Sequence, residues 1–254
     1  MTGPPEVLVC PNRPALARAA AAEFAHQARE AISQRGRFLV CLAGGSTPLE
    51  AYRLLAEPPF LTELPWEQMV ILWGDERMVP PDDPESNYGQ AQQAFLWGVP
   101  VRPEQVWRMQ GEMPADQAVA GYAARLRALA SPGLAWPRFD LVLLGLGADG
   151  HIASLFPHQR SALETNRPVI AVRAKYGDRP VKRLTLTPAV FNDARRVVFL
   201  VAGVEKAVAL AASLDPASDP LSWPARRIDP PQGKVVWLVD TAAIGNWNPS
   251  RVSS

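Results

Sequence analysis

Residues 145–157 read GLGADGHIASLFP, the end of an apolar run followed by glycines at 145, 147 and 150 with Asp149 and His151 among them. The spacing G-x-G-x-x-G belongs to dinucleotide-binding turns, whereas an imidazole presented at a strand end is a candidate general base. A dinucleotide fingerprint needs a long helix behind its glycines and an acidic residue about 20 positions on, at the end of the next strand. Pro157 stops any helix within two turns, and the next apolar run, PVIAVRA, ends near Arg173 without an acid. Of the chain's three histidines, His26 falls on a helix and His158 follows Pro157 in a loop. His151 is the base to test, because an unperturbed imidazole, with a pKa of about 6.5, suits proton abstraction at neutral pH.

Three further segments place chemistry directly after apolar runs. AGGSTPLE (43–50) carries Gly44, Gly45, Ser46 and Thr47. Thr47 as helix cap, Pro48 at the first helical position and Glu50 closing a capping box explain the second half. The paired glycines before them suit either a tight turn or a cradle of backbone N–H groups for an anion at a helix start. WGDERMVP (73–80) sets Asp75, Glu76 and Arg77 at a strand end, either as a solvated loop or as a carboxylate and a guanidinium beside the reacting group. Ser86 is a plausible cap for a helix beginning near Asn87, with Asp82 and Asp83 as solvated neighbours. In VFLVAGVEKAVAL, Lys206 falls in the first turn of a helix, where a cation opposes the dipole and a bound anion would resolve the conflict. Arg183 in RLTLTP is a second cation of this kind, or else an exposed strand-end arginine.

These segments need a scaffold, and the intervening sequence predicts one. Short apolar runs (6–10, 37–44, 69–74, 140–147, then PVIAVRA, RLTLT, RRVVFLVAG and KVVWLVD) alternate with helical patterns. In the first helix Leu16, Ala20, Phe24, Ala28 and Ile32 share a face, and Gly36 ends it. Continuous Val, Ile and Leu runs mark strands buried on both faces. The expected architecture is a doubly wound α/β fold over residues 1–254, one domain, with a mostly parallel sheet and helices on both faces. Ligands in such folds bind beyond the carboxyl ends of the strands. The proline-rich stretch 215–233 has no apolar period and reads as a long surface loop or lid.

Composition bounds the partners. With 48% hydrophobic and 20% charged residues and a net charge of +1 over 254 residues, the chain is of ordinary globular balance with no basic footprint for nucleic acid or anionic membrane. Cys10 and Cys41, each in an apolar run, make neither a disulfide framework nor a metal cluster. No stretch approaches the roughly 18 apolar residues of a membrane helix, and no leader pattern is visible, so a cytoplasmic setting is expected.

LAGGSTP, WGDERMVP with SNY after it, GLGADGHIASLFP, RLTLTP and VAGVEKA followed by WLVDTAA, in this order, closely resemble the 6-phosphogluconolactonases related to glucosamine-6-phosphate deaminase. The resemblance runs nearly end to end. It implies a fold related to ribose-5-phosphate isomerase, no cofactor, and hydrolysis of 6-phospho-D-glucono-1,5-lactone; a monomer or weak homodimer is expected. By motif position it makes His151 the base that activates water, with Asp75 in the catalytic pair. It assigns Gly44, Gly45, Ser46, Thr47, Arg77, Asn87, Asp149, Arg183 and Lys206 to substrate, with Arg179 and Lys182 as neighbours competing with Arg183. Asp75 could orient His151, the water or a sugar hydroxyl. Deaminase-type relatives usually read DGHIAFNEP where this chain reads DGHIASLFP, so Phe156 replaces an ionisable glutamate. A non-catalytic sugar-phosphate sensor is the alternative of another class; the first strand begins near residue 6, which leaves no space ahead of it for a DNA-binding module.

Overall fold

The structure, a computed structural model, describes residues 6–245 and Trp247; the remaining ends of the span 1–254 lie outside the described residues. In chain order the first half runs β1 (Glu6–Cys10), α1 (Arg13–Arg35), β2 (Phe38–Leu42), α2 (Ser46–Leu55), α3 (Phe60–Glu63), β3 (Met69–Trp73), β4 (Asp75–Arg77), α4 (Asn87–Ala91), β5 (Val106–Trp107) and α5 (Ala115–Leu129). The second half runs β6 (Leu141–Gly145), β7 (Val169–Arg173), β8 (Lys182–Leu186), α6 (Pro188–Asn192), β9 (Arg196–Val201), α7 (Ala207–Leu214), β10 (Lys234–Asp240) and α8 (Thr241–Ile244).

Seven strands form a sheet in the order β1-β10-β9-β6-β2-β3-β5, every pairing parallel. Alternation along each strand feeds two cores. Cys41, Val142, Leu144, Phe199 and Trp237 face one side. Val40, Leu42, Leu143, Leu200 and Leu238 face the other, beneath α1 and α2. Helix α1 is capped by Asn12, whose side chain accepts from the Ala15 N–H, and, as its sequence predicts, ends at Gly36, in the left-handed region at φ 74°.

The sequence reading put PVIAVRA and RLTLT in the main sheet. They form a second sheet instead, antiparallel, in the order β4-β8-β7. The junction is Gly74: its N–H donates to the Leu42 carbonyl of the first sheet, and its own carbonyl accepts from Leu186 N of the second. The chain leaves β3 and enters β4 through one residue, which carries Asp75 and Arg77 away from the parallel sheet and over its carboxyl edge. Central strands β2 and β6 are neighbours, but α2 after β2 packs on one face while the segment after β6, with Ile152, Leu155 and Ala162, packs on the other. That divergence opens a crevice between the two strand ends.

The stretch 215–233 is irregular but is no free loop. Pro224, Ala225, Ile228 and Pro230 are buried, the Leu221 carbonyl accepts from His158 N, and Asn192 bonds to the backbone of Arg227 and Asp229.

Candidate active site

The crevice is a cleft of about 180 Å³, lined by residues from the loops after β2, β3, β6 and β9 and from the β7–β8 connection. On its first side, Gly45 adopts φ 96° and serves as the N-cap of α2, a conformation that favours glycine. The helix thus starts at Ser46, one residue earlier than the predicted cap at Thr47. Thr47 lies inside the first turn, no side chain caps the helix, and Glu50 pairs with Arg13 at 2.7 Å instead of closing a capping box. The uncapped start leaves first-turn amides facing the cleft, the arrangement that favours an anion. Gly44 is required for a different reason: a Cβ there would sit 1.9 Å from Asn87 Oδ1.

The second wall is β4 with β8. Asp75, Glu76 and Arg77 are all buried, which excludes the solvated-loop reading. Glu76 points away from the cleft and accepts from the backbone N–H groups of Arg77, Asn87 and Tyr88 and from Ser86 Oγ. Burial pushes its carboxyl up to about 7 against the pull of those backbone donors. Ser86 caps α4 as expected, accepting from Gly89 N. The loop so fixed aims Asn87, whose Nδ2 donates to the Asp75 carbonyl at 2.8 Å and to its Oδ1 at 3.1 Å. Ser154 Oγ donates to the other Asp75 oxygen at 2.7 Å. Asp75 therefore contacts Asn87 and Ser154, not His151.

Arg77 and Arg183 are cross-strand partners in the β4–β8 ladder, and both are buried. Arg77 donates to the Glu85 carbonyl and Arg183 Nε to the Pro180 carbonyl. Arg77 Nε and one terminal nitrogen of Arg183 have no hydrogen-bond partner. Burial lowers the Arg183 pKa; the charges of Arg77 and Arg179 lower it further, while Asp75 opposes. Like charges facing each other across a strand pair are unfavourable, and unpartnered guanidinium nitrogens at a cleft wall are what an anionic ligand satisfies. The three basic candidates are also separated: Arg179 and Arg183 line the cleft, whereas Lys182 is exposed and lines a different depression.

The third wall is the 145–157 loop. No helix follows β6, so the glycine spacing serves the loop itself. Gly150, at φ 87°, packs on Trp223, where a Cβ would come within 2.4 Å of the indole. A Cβ on Gly147 would meet His151 Nδ1 at 2.1 Å. That imidazole stacks on Phe156 at 4.6 Å and takes the edge of Tyr176 at 4.7 Å. Its Nδ1 lies 2.6 Å from Asp149 Oδ1. A carboxylate accepting at Nδ1 places the proton there and leaves Nε2 as the basic nitrogen. Burial alone would raise the Asp149 carboxyl, but the hydrogen bond and charge of His151 outweigh it and hold it below its usual value. Asp149, grouped with the substrate-binding residues on sequence, stands behind His151 and outside the cleft lining.

Lys206 closes the cleft at the end of a short 3-10 turn (Val204–Lys206), as the N-cap residue of α7 and not inside its first turn. Burial lowers its pKa, with Glu205 and Asp149 opposing and Arg179 adding to the fall. Arg13, Tyr176, Arg179 and Glu205 also line the cleft. Of these only Arg179 drew notice in the sequence. Arg13 and Tyr176 carry no local signal, since each arrives through a contact distant in sequence. Among the described residues no group of three or more His, Cys, Asp or Glu could hold a metal ion.

A family model described as glucosamine-6-phosphate isomerases/6-phosphogluconolactonase matches residues 11–237. The chain belongs to this family. Among its relatives, a 6-phosphogluconolactonase of a Nostoc species is 42% identical over 217 residues, covering 84% of this chain and 86% of the relative. One of a Synechocystis species is 39% identical, covering 96% and 99%. A solved 6-phosphogluconolactonase of Trypanosoma brucei superposes with a TM-score of 0.84 at 29% identity, covering 96% and 99%. The family's description spans isomerases and lactonases, so the choice between these chemistries rests on side chains. Phe156 is 4% exposed, with its ring against His151 and 5.5 Å from the Arg183 guanidinium carbon. No helix of the described residues is long and apolar enough to cross a membrane.

Proposed function

We propose that this chain hydrolyses 6-phospho-D-glucono-1,5-lactone to 6-phospho-D-gluconate. The observation that carries the reading is the His151–Asp149 contact in a cleft whose opposite wall holds buried arginines with unpartnered nitrogens. The lactonase relatives support the substrate. His151 Nε2 takes a proton from water as its oxygen attacks the lactone carbonyl carbon. Negative charge gathers on the former carbonyl oxygen, and hydrogen-bond donors aimed at that oxygen lower the barrier. Collapse breaks the bond from that carbon to the ring oxygen, which takes the proton back from the imidazolium. Asp149 keeps the imidazole in the reactive tautomer and stabilises its charged form. The amides of the Gly44–Thr47 loop, Arg77, Arg183 and Lys206 share the phosphate and the developing oxyanion. Phosphate binding at a distance from the reacting carbon supplies energy that orients the ring.

Phe156 argues against deamination: it sets an apolar ring beside His151 where the deaminase-type pattern DGHIAFNEP has an ionisable glutamate, one of the groups that proton transfer and ring opening would use. We assign the reaction to the cytoplasm, which suits two free buried thiols. We take a monomer or weak homodimer as the working unit. The test is hydrolysis of phosphorylated and unphosphorylated gluconolactone side by side, with ammonia release from glucosamine 6-phosphate as control. Strong preference for the phosphorylated lactone is expected. Ammonia release faster than lactone hydrolysis would overturn the reading.

A further inference from the structure

Strand β6 carries the active cleft at its carboxyl end and a second cavity at its amino end. That cavity, about 350 Å³, is lined by Arg35, Arg37, Arg138, Arg195 and Asp140, with Leu39, Leu129 and Ser131. Gly145 lies five positions along from Asp140, so the two sites are roughly 17 Å apart along the strand. Asp140 is 3% exposed and already engaged: Leu39 N donates to Oδ2 at 2.8 Å, Arg35 Nε to Oδ1 at 2.9 Å, and Arg195 Nε lies 3.3 Å from Oδ1.

Four guanidiniums thus surround one carboxylate, an excess of three positive charges among the lining residues. The remaining bonds do not neutralise it. Arg37 donates to the Leu129 carbonyl, and Arg138 donates to the side chain and carbonyl of Gln232, all uncharged acceptors. Arg195 Nε is buried without hydrogen-bond geometry to any acceptor. The same crowding acts on its acidity: burial lowers the Arg195 pKa, the charges of Arg35 and Arg138 lower it further, and Asp140 opposes them without cancelling the fall. Gathering like charges around a concave space is unfavourable unless an anion occupies it. Guanidinium forks match the oxygens of phosphate. A concave space of this size favours a small molecule over a protein surface.

We propose that the amino-terminal floor of the sheet is a second anion site, taking a phosphate group of a small molecule, separate from the catalytic cleft. None of the residues it uses belongs to the cleft, so it stands whether or not the proposed reaction does.

The test is calorimetric titration with inorganic pyrophosphate of the wild type, the double variant Arg138→Ala/Arg195→Ala, and Lys206→Ala. Two sites per chain are expected in the wild type. The double variant should keep its lactone turnover and lose one site, and Lys206→Ala should weaken the other. Should the double variant fail to fold, Arg37→Ala carries the test, because its side chain is exposed and bonds only to a carbonyl. It should weaken the floor site on the order of tenfold. A single site in the wild type would overturn the proposal. So would two sites of unchanged affinity in the double variant, or an unchanged floor affinity in Arg37→Ala. A parallel titration with glucose 6-phosphate separates the sources: competition with pyrophosphate at the floor site supports an organic phosphate ester as occupant. Its failure to compete supports inorganic phosphates.

Discussion

Asp75 lies in a strand, is 6% exposed and is gripped from two sides by Asn87 and Ser154. Asp149 lies in a loop, keeps 38% of its side chain in solvent and bonds to His151 alone, through ring and backbone. Asp75 lines the cleft, and Asp149 reaches it only through His151. The difference separates anchoring from chemistry. Strands β4 and β8 hold Asp75, Arg77 and Arg183 in a ladder that fixes where an anion can sit. The 145–157 loop delivers one imidazole to the cleft, with its Nδ1 held by Asp149. Rigid strands suit the groups whose positions must not vary, and loops carry the group that reacts.

Substitutions at the two aspartates should therefore fail differently. Asp75→Asn removes the buried charge that accepts from Asn87 and Ser154 and that offsets the Arg183 guanidinium. It should cost about 3 kcal/mol of stability, roughly 6–12 °C in melting temperature for a chain of this size, while kcat below the transition falls less than about tenfold. Loss of kcat with an unchanged melting temperature would move Asp75 into the chemistry. Asp149→Asn should do the reverse, cutting kcat by on the order of 10²-fold through the wrong tautomer with little change in melting temperature. Equal melting losses at both positions would erase the distinction.

On the anchoring side, Lys206→Ala should reduce kcat/KM for the phosphorylated lactone by roughly tenfold to 150-fold, the loss of about 1.5–3 kcal/mol of charge-assisted contact. The unphosphorylated lactone should be much less affected. An equal loss on both substrates would make Lys206 structural.

The smallest effect belongs to Glu76, which fixes the loop that aims Asn87. Its carboxyl sits near 7 in the folded protein against 4.5 for the free group, so the native state binds its proton more tightly than the unfolded chain. Its contribution to stability is greatest below about pH 4.5 and declines as pH rises to about 7. Glu76→Gln should flatten the fall in melting temperature across that window. An unchanged pH slope in the variant would mean that Glu76 is ionised throughout, held by its hydrogen bonds.

Much of this was legible in the sequence because local rules govern it. Leu16 to Ile32 at helical spacing, Gly36 as terminator and the continuous apolar strands each announce themselves, and a parallel sheet dictates that its carboxyl end be searched. The second sheet was not legible. β4 has three residues, all charged, and only pairing with a strand more than a hundred residues away turns DER into a buried strand. For the same reason sequence could not choose among Arg179, Lys182 and Arg183: β8 is buried from Arg183 onward and exposes only Lys182, and where that burial begins depends on the partner strands. The roles of Asp75 and Asp149 needed three dimensions too, since both follow strands and both precede glycine-rich or charged turns. In 215–233, prolines and missing periodicity suggested freedom, yet Pro224, Ala225 and Ile228 within it are buried.

His151 is where the whole account can fail. The decisive measurement is kcat for His151→Ala, taken with its melting temperature and its affinity for 6-phosphogluconate. A fall of roughly 10²–10⁴-fold, the contribution of a positioned base, is predicted, with folding and product binding retained because the arginines and Lys206 remain. Retention of more than about a third of wild-type kcat, in a folded variant that still binds product, would contradict the assignment of His151 as the base.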